Sequence, residues 1–263
     1  MSFFHLAKRK VATFATTVQA CANWPAVARA RLNPSAKIDA LRFRSGLQLR
    51  PLAPLSATWG EVFEPAIADV YGIRNCAPDL IIDVGANIGA FSCFAAHTHS
   101  RALVHAFEPS APHADLLEEN IALNHLPNVT LHRQAVTKDG RDVVFSQLGA
   151  GGASGIILPG DGPQIHLKSI SLDCIDFTSA RLLFVKLDCE GAEGEIIEWI
   201  CANLSRLPSR LKLACEYHHW CPSPPEQMLM LLRDCGFQAE TRILFDEAYL
   251  FATRGSESTS QSR

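Results

Sequence analysis

Residues Leu80-Ile-Ile-Asp-Val-Gly-Ala-Asn-Ile-Gly-Ala-Phe91 read as a buried strand, a sharp turn with an acid at its entrance, and the first turn of a helix. The apolar run Leu80, Ile81, Ile82 and Val84 is short enough for a parallel strand covered on both faces. Gly85 and Gly89 permit a tight turn and a close approach of backbone to ligand. The spacing falls near the dinucleotide fingerprint G-x-G-x-x-G but departs from it: Asn87 replaces the glycine that admits a pyrophosphate, and Ala90 holds the third position. Asp83 decides the direction, since a carboxylate there repels a pyrophosphate and suits a cationic ligand such as the ammonium and sulfonium of S-adenosylmethionine.

Beyond this stretch, residues 79–254 alternate strands and helices, the mark of a parallel sheet. Strands are predicted at 80–84, 102–107, 129–133, 182–187 and 211–216, and helices near 88–97, 111–124, 192–203 and 225–235. Residues 238–243 and 249–253 read as a closing antiparallel hairpin. Residues 141–178 interrupt the alternation with strands at 143–145 and 165–172 around the loop Gly149-Ala-Gly-Gly-Ala-Ser-Gly155. Residues 1–78 form an N-terminal extension: a weakly amphipathic helix over 1–32, a hairpin over 40–49 and a helix over 59–71. Residues 255–263 are Ser-rich and predicted to be disordered.

Composition narrows the class. A chain of 263 residues with 48% hydrophobic content can bury a large core, and it contains no run of about 18 apolar residues. Nine scattered cysteines without a C-x-x-C pair argue against a structural zinc site or a disulfide framework. A cytoplasmic location is expected, without a secretory leader. Residues 1–50 carry nine Lys or Arg against a single acid, Asp39, while the remainder holds 15 bases and 26 acids. The basic leader reads as a solvated helix capping the domain, with weak contact of residues 1–32 with an anionic membrane surface as an alternative. No aromatic ladder accompanies the basic residues, so no nucleic-acid partner is expected.

In open α/β sheets the ligand lies beyond the carboxyl ends of the strands, at the point where strand order reverses. Each strand end therefore nominates residues. The first offers Asp83, Gly85, Ala86, Asn87 and Gly89; the second offers Glu108, about 25 residues on, placed to accept hydrogen bonds from ribose hydroxyls. The third offers Gln134 and Ala135 to an adenine edge. The fourth offers Asp188 and Glu190, two apart and so on one side of an extended backbone. The fifth offers His218 and His219. Blander readings stand beside these: Glu108 starting a turn, the Asp188/Glu190 pair complementing a helix N-terminus, both histidines at the surface. Glu193 and Glu195 read as a solvated first helical turn. His97, His99, His105, His113, His125 and His132 lack paired ligand spacing, and Ser154 and Lys186 receive no role.

Together, Asp83-Val-Gly-Ala-Asn-Ile-Gly-Ala-Phe91, Ala106-Phe-Glu-Pro-Ser110, Ser171-Leu-Asp-Cys-Ile175 and Val185-Lys-Leu-Asp-Cys-Glu-Gly-Ala-Glu193 resemble the FkbM family of S-adenosylmethionine-dependent methyltransferases. The resemblance spans roughly residues 40 to 218, and its most specific block is 185–193. It implies a Rossmann-like class I methyltransferase fold: α/β, with a seven-stranded, mostly parallel sheet whose last strand is antiparallel. It also implies O-methylation of a hydroxyl on a sugar, glycan or polyketide-like small molecule. By resemblance, Asp83, Gly85, Asn87 and Gly89 hold the methionine moiety, Glu108 the ribose, and Asp188 lies near the donor methyl. Cys174 and Cys189 stand where the family often shows other residues.

Acceptor deprotonation falls to Asp188 or Glu190, with His218 as the competing base. No metal ligand is assigned, since a divalent cation on two carboxylates would have an incomplete shell. Two other classes compete: a nicotinamide-dependent oxidoreductase, which would need a glycine at position 87, and a non-catalytic protein that keeps the cofactor fold.

Overall fold

The computed structural model describes residues 13–147, 154–156, 164–218, 221–245 and 247–255. Its centre is a seven-stranded sheet of β1 (Leu80–Val84), β2 (Leu103–Phe107), β3 (Val129–His132), β4 (Leu182–Leu187), β5 (Arg210–Tyr217), β6 (Gln238–Leu244) and β7 (Glu247–Arg254). The spatial order is β6-β7-β5-β4-β1-β2-β3. The first five strands run parallel, and β7 lies antiparallel between β5 and β6. From β1 the chain builds outward through β2 and β3, then returns to lay β4 on the other side of β1. The β1–β4 junction is therefore the switch point.

Burial follows from position in the sheet. Every residue of β1 and β4 is buried, as expected for central strands covered on both faces. The alternation of side chains divides the core in two. Ile81, Phe184 and Ala214 face a cluster that contains Phe91, Phe94 and Leu117 from helices α1 (Ala90–Thr98) and α2 (Ala111–Leu123). Ile82, Val185 and Leu213 face a second cluster with Ile196, Trp199 and Met228 from α3 (Glu193–Ala202) and α4 (Pro225–Asp234).

The N-terminal extension shares the first of these cores. Val27, Leu41, Leu49, Val62 and Phe63 pack in the same cluster as Ile81 and Phe94, so residues 13–78 form part of the wall of the domain. The expected hairpin is present, Leu41–Arg42 pairing antiparallel with Gln48–Leu49. The long leading helix is broken within the described residues: helical residues 13–20 are followed by a new helix, Trp24–Leu32. The break sits where Asn23 bonds the hairpin, its amide donating to the Ala40 carbonyl and accepting from Arg42 N–H, and where Pro25 opens the next helix.

The predicted helix over 59–71 is also interrupted. Short helical pieces at Leu55–Thr58 and Gly60–Val62 run into a π-helical turn, Phe63–Ala68, that ends at Asp69 with φ 53°. Pro65 cannot donate to the preceding turn, and π-type distortions of this kind concentrate at functional sites.

In the insertion, Val143–Gln147 pairs antiparallel with both Ser154–Ile156 and Gln164–Leu167. Ser169–Ile170 adds parallel to Ala135–Val136. Of the glycine loop, Gly149 to Ala153 lies outside the described residues, as do residues 1–12, His219 and residues 256–263; the Ser154 side chain does too.

The turn after β1 is tied to both neighbouring strands. Gly85 and Ala86 N–H donate to the Phe107 carbonyl of β2, and Asp188 N–H, just past β4, donates to the Val84 carbonyl. Gly85 has φ 77°, and a Cβ there would overlap the Asp188 carbonyl. Its glycine is required by the chain crossing beneath it. Gly85→Ala is expected to cost roughly 2–3 kcal/mol beyond Gly72→Ala in denaturant unfolding. Gly72 is the control, because it has a comparable φ of 73° and nothing within 4 Å of its ideal Cβ. Equal losses would show that the crossing yields easily.

Candidate active site

A cavity of about 670 Å³ opens at the carboxyl ends of β1, β2, β4 and β5, within the range of small-molecule sites. Residues expected from the sequence converge on it. Gly85, Ala86, Asn87, Glu108, Gln134, Ala135, Asp188, Glu190 and His218 all line it.

Asp83 and Gly89 do not. Asp83 is fully buried; its Oδ2 accepts from Ser92 Oγ at 2.5 Å and its Oδ1 lies 3.1 Å from Lys186 Nζ. The expected direct meeting of this acid with a cationic ligand is replaced by an internal ion pair. A Cβ at Gly89 would overlap Leu117, so this glycine serves helix packing instead.

The acid that reaches the cavity from the turn's far side is Glu108. It is 7% exposed, and its two oxygens accept from Asn87 N–H and Ser110 N–H, each at 2.8 Å. Burial raises its carboxyl to about 7, against the pull of those two hydrogen bonds. Asn87, at φ 50°, donates from its amide to Glu61 Oε2 at 3.0 Å, while its buried Oδ1 has no hydrogen-bond donor among the described residues. A buried acceptor carbonyl and, beside it, a buried carboxylate fit a ligand with an ammonium at one end and a ribose diol at the other. That is the donor pattern of S-adenosylmethionine.

Asp188, Glu190 and His218 meet as one cluster. His218 Nε2 lies 3.7 Å from Asp188 Oδ1 and 3.5 Å from Glu190 Oε2. The route differs from the extended strand expected: Glu190 has φ 60° and Gly191 φ 120°, so the pair converges through a turn. Their ligand-type atoms all lie within 4.8 Å of one another, close enough to surround a cation.

Burial alone would lower His218, but its hydrogen bond to Glu193 and the charges of Asp188 and Glu190 raise it to about 9. The imidazole is therefore protonated at neutral pH and is itself the cation among these acids. Burial pushes Glu190 up to about 7, with His218 opposing and Asp188 adding to the rise.

Glu193 corrects another expectation. It is fully buried rather than solvated, accepting from Cys189 N–H at 3.1 Å, Gly191 N–H at 2.8 Å and His218 Nδ1 at 3.1 Å. One carboxylate thus shapes the 188–191 turn and aims the imidazole. Glu195, by contrast, pairs with Arg141 on the outside.

Sequence reasoning missed a second shelf of polar groups. Tyr71 OH lies 3.2 Å from Asp188 Oδ2 and 3.1 Å from Glu216 Oε2. Tyr249 OH lies 2.8 Å from Glu64 Oε2 and 3.1 Å from Glu216 Oε2. Burial, then the charge of Asp188, raises Glu216 to about 8. Glu216 ends a predicted strand and could have been nominated on that ground. Tyr71, Glu61 and Glu64 carried no local signal, because the shared core brings them in from the extension.

The family described as Methyltransferase FkbM domain matches residues 83–239. Methyltransferase sdnD of Sordaria araneosa is 26% identical over 213 residues, covering 64% of this chain and 77% of that protein. Among solved structures, precorrin-6y C5,15-methyltransferase from Geobacter metallireducens aligns with TM-score 0.47 and 15% identity over 72% of this chain and 86% of its own. TYW2 of M. jannaschii, in complex with AdoMet, aligns with TM-score 0.43 and 13% identity over 83% and 86%.

Proposed function

The chain belongs to the FkbM methyltransferase family, with S-adenosylmethionine as its methyl donor, and from that premise we propose that it methylates a hydroxyl oxygen on a sugar, glycan or polyketide-like small molecule. When bound, the donor supplies an already activated methyl group. The protein's part is to orient an acceptor oxygen and accept its proton. Glu108 would hold the ribose, the Gly85–Asn87 turn the methionine end, and Gln134 with Ala135 the adenine.

The observation that carries the oxygen reading is the Glu190 carboxyl at the cavity wall. Its Oε2 is buried and accepts no hydrogen bond among the described residues, and its pKa near 7 suits a general base at neutral pH. His218, already protonated, holds Glu190 and Asp188 in place.

The test is release of S-adenosylhomocysteine with a panel of neutral hydroxylated acceptors, and location of the new methyl by NMR. An O–CH₃ product supports the reading. Donor binding without turnover on any hydroxylated compound overturns it, as does a methyl found only on nitrogen or carbon.

Donor affinity should also report on Glu108. Ribose hydroxyls donate best to an ionised carboxylate, so S-adenosylhomocysteine is expected to bind more tightly as pH rises through about 7. Glu108→Gln should weaken binding about tenfold at high pH and flatten the dependence, read by calorimetry. A pH dependence unchanged in the variant would assign it to other carboxyls.

A further inference from the structure

Asp83 reads in the sequence as the carboxylate that meets the donor's positive charge, yet the fold buries it and spends it on Lys186. The ammonium at the donor's methionine end is thereby left without the acid that the sequence nominates for it. Three other carboxylates border the turn after β1, and two are engaged. Glu108 accepts from the Asn87 and Ser110 N–H groups with its two oxygens and is assigned to the ribose. Asp188 is held by Lys186 and Tyr71. The third is Glu61, which lines the same cavity.

Glu61 is gripped through one oxygen. Its Oε2 accepts from Asn87 Nδ2 at 3.0 Å, while its Oε1 accepts no hydrogen bond among the described residues. An ionised carboxylate can only accept, so the contact also fixes the Asn87 amide with its NH₂ toward Glu61. Burial raises the Glu61 carboxyl, the Asn87 hydrogen bond opposes the rise, and Asp188 and Glu108 lie close enough to add to it. A cation at Oε1 would offset that penalty of burial.

The backbone that carries Glu61 is fixed by the core. Val62 and Phe63, the next two residues, are 0% and 5% exposed in the cluster that holds Ile81. Both of their N–H groups donate to the Trp59 carbonyl. A carboxylate presented from so constrained a segment needs little further ordering when a ligand arrives.

Resting on the donor reading above, we propose that Glu61 is the counter-charge of the donor's ammonium. The N-terminal extension then supplies a binding residue of the S-adenosylmethionine site from outside the family-matched span of 83–239. Asn87 sets the direction of the carboxylate and Oε1 accepts from the ammonium. This charge-assisted bond recognises the amino-acid end of the donor, not its adenosine.

The experiment compares S-adenosylhomocysteine with its deamino analogue, which differs only in lacking the ammonium, and with 5′-methylthioadenosine, which lacks the whole amino-acid end. Binding to the full chain is read by calorimetry at neutral pH. The parent should hold S-adenosylhomocysteine about 10–100-fold more tightly than the deamino analogue, the usual weight of a hydrogen bond between charged partners. Glu61→Gln keeps an acceptor oxygen for Asn87 and removes the charge. It should shrink that ratio to a few-fold while the affinity for methylthioadenosine stays at the parent's value. Glu61→Asp, which keeps the charge, should hold a larger ratio than the glutamine variant.

A Glu61→Gln protein that keeps the parent's ratio makes Glu61 a strut for Asn87 and overturns the inference. An equal loss for methylthioadenosine overturns it too, since the effect would then be on the shape of the cavity. If Glu61→Gln does not fold, the parent still carries the test: equal affinities for S-adenosylhomocysteine and its deamino analogue overturn the inference and leave the donor reading standing. Failure of all three ligands to bind the parent overturns the donor reading, and the inference with it.

Discussion

Glu190→Gln should lower kcat by about 10²–10⁴-fold, the usual contribution of a positioned general base, while leaving the affinity for S-adenosylhomocysteine within a few-fold of the parent. The pH profile separates this base from its neighbour. Glu190 works when ionised, so turnover rises as pH passes about 7, and that limb should vanish in Glu190→Gln. His218 would have to lose a proton held up to about 9, which puts its limb two units higher. A limb near 9 that survives Glu190→Gln and disappears in His218→Gln would move the base to the imidazole.

Asp188→Asn is expected to lower turnover less steeply. Its Oδ2 is engaged by Tyr71 OH and by Lys186, both at 3.2 Å, so its principal work is to hold the 186–190 segment against the turn after β1.

What the sequence makes legible is local. Buried strands announce themselves as short apolar runs, and β1 and β4 sit within a residue or so of where their patterns place them. Strand ends then nominate ligand groups, and Glu108, Asn87, Asp188, Glu190 and His218 all reach one cavity. The misreadings are non-local. Asp83 reads as a guard for a cationic ligand because nothing near it announces a partner; its counter-charge stands opposite in the β1–β4 register, about a hundred residues later. Glu193 reads as solvated because the histidine that it orients follows 25 residues on, after β5. Pro65 and Asn23 are audible as helix breakers, yet what the broken pieces deliver depends on a core that the extension shares with α1. Glu61 is hardest to see, since it shares no spacing with the acids at the strand ends.

The corrected place of Asp83 leads to the largest expected effect on stability. Lys186 is 4% exposed and its ammonium is committed inward: it donates to the Gly85 carbonyl at 2.6 Å and forms ion pairs with Asp83 at 3.1 Å and Asp188 at 3.2 Å. It also stands over the Tyr71 ring, 5.5 Å from its centroid. Burial alone would depress its pKa, but Asp188 and Asp83 outweigh burial and hold it above the ordinary lysine range.

Removing one member of such a pair leaves the other charge buried and uncompensated, at about 3–5 kcal/mol. Lys186→Met, which nearly preserves volume, is expected to lose that much in guanidinium unfolding of the donor-free protein. Adding Asp83→Asn should restore a good part of it, because an amide in place of the carboxylate no longer needs the ammonium. Lys168→Met is the control: its partner Asp142 lies at the surface, and its loss should be slight. If Lys186→Met matched that control, the ion pair would be slack. The acid before the glycine turn would then be free to act on the ligand directly. If the loss is large and Asp83→Asn repairs it, the charge at this strand end organises the turn, and the ligand meets that organisation through Gly85, Asn87 and Glu108.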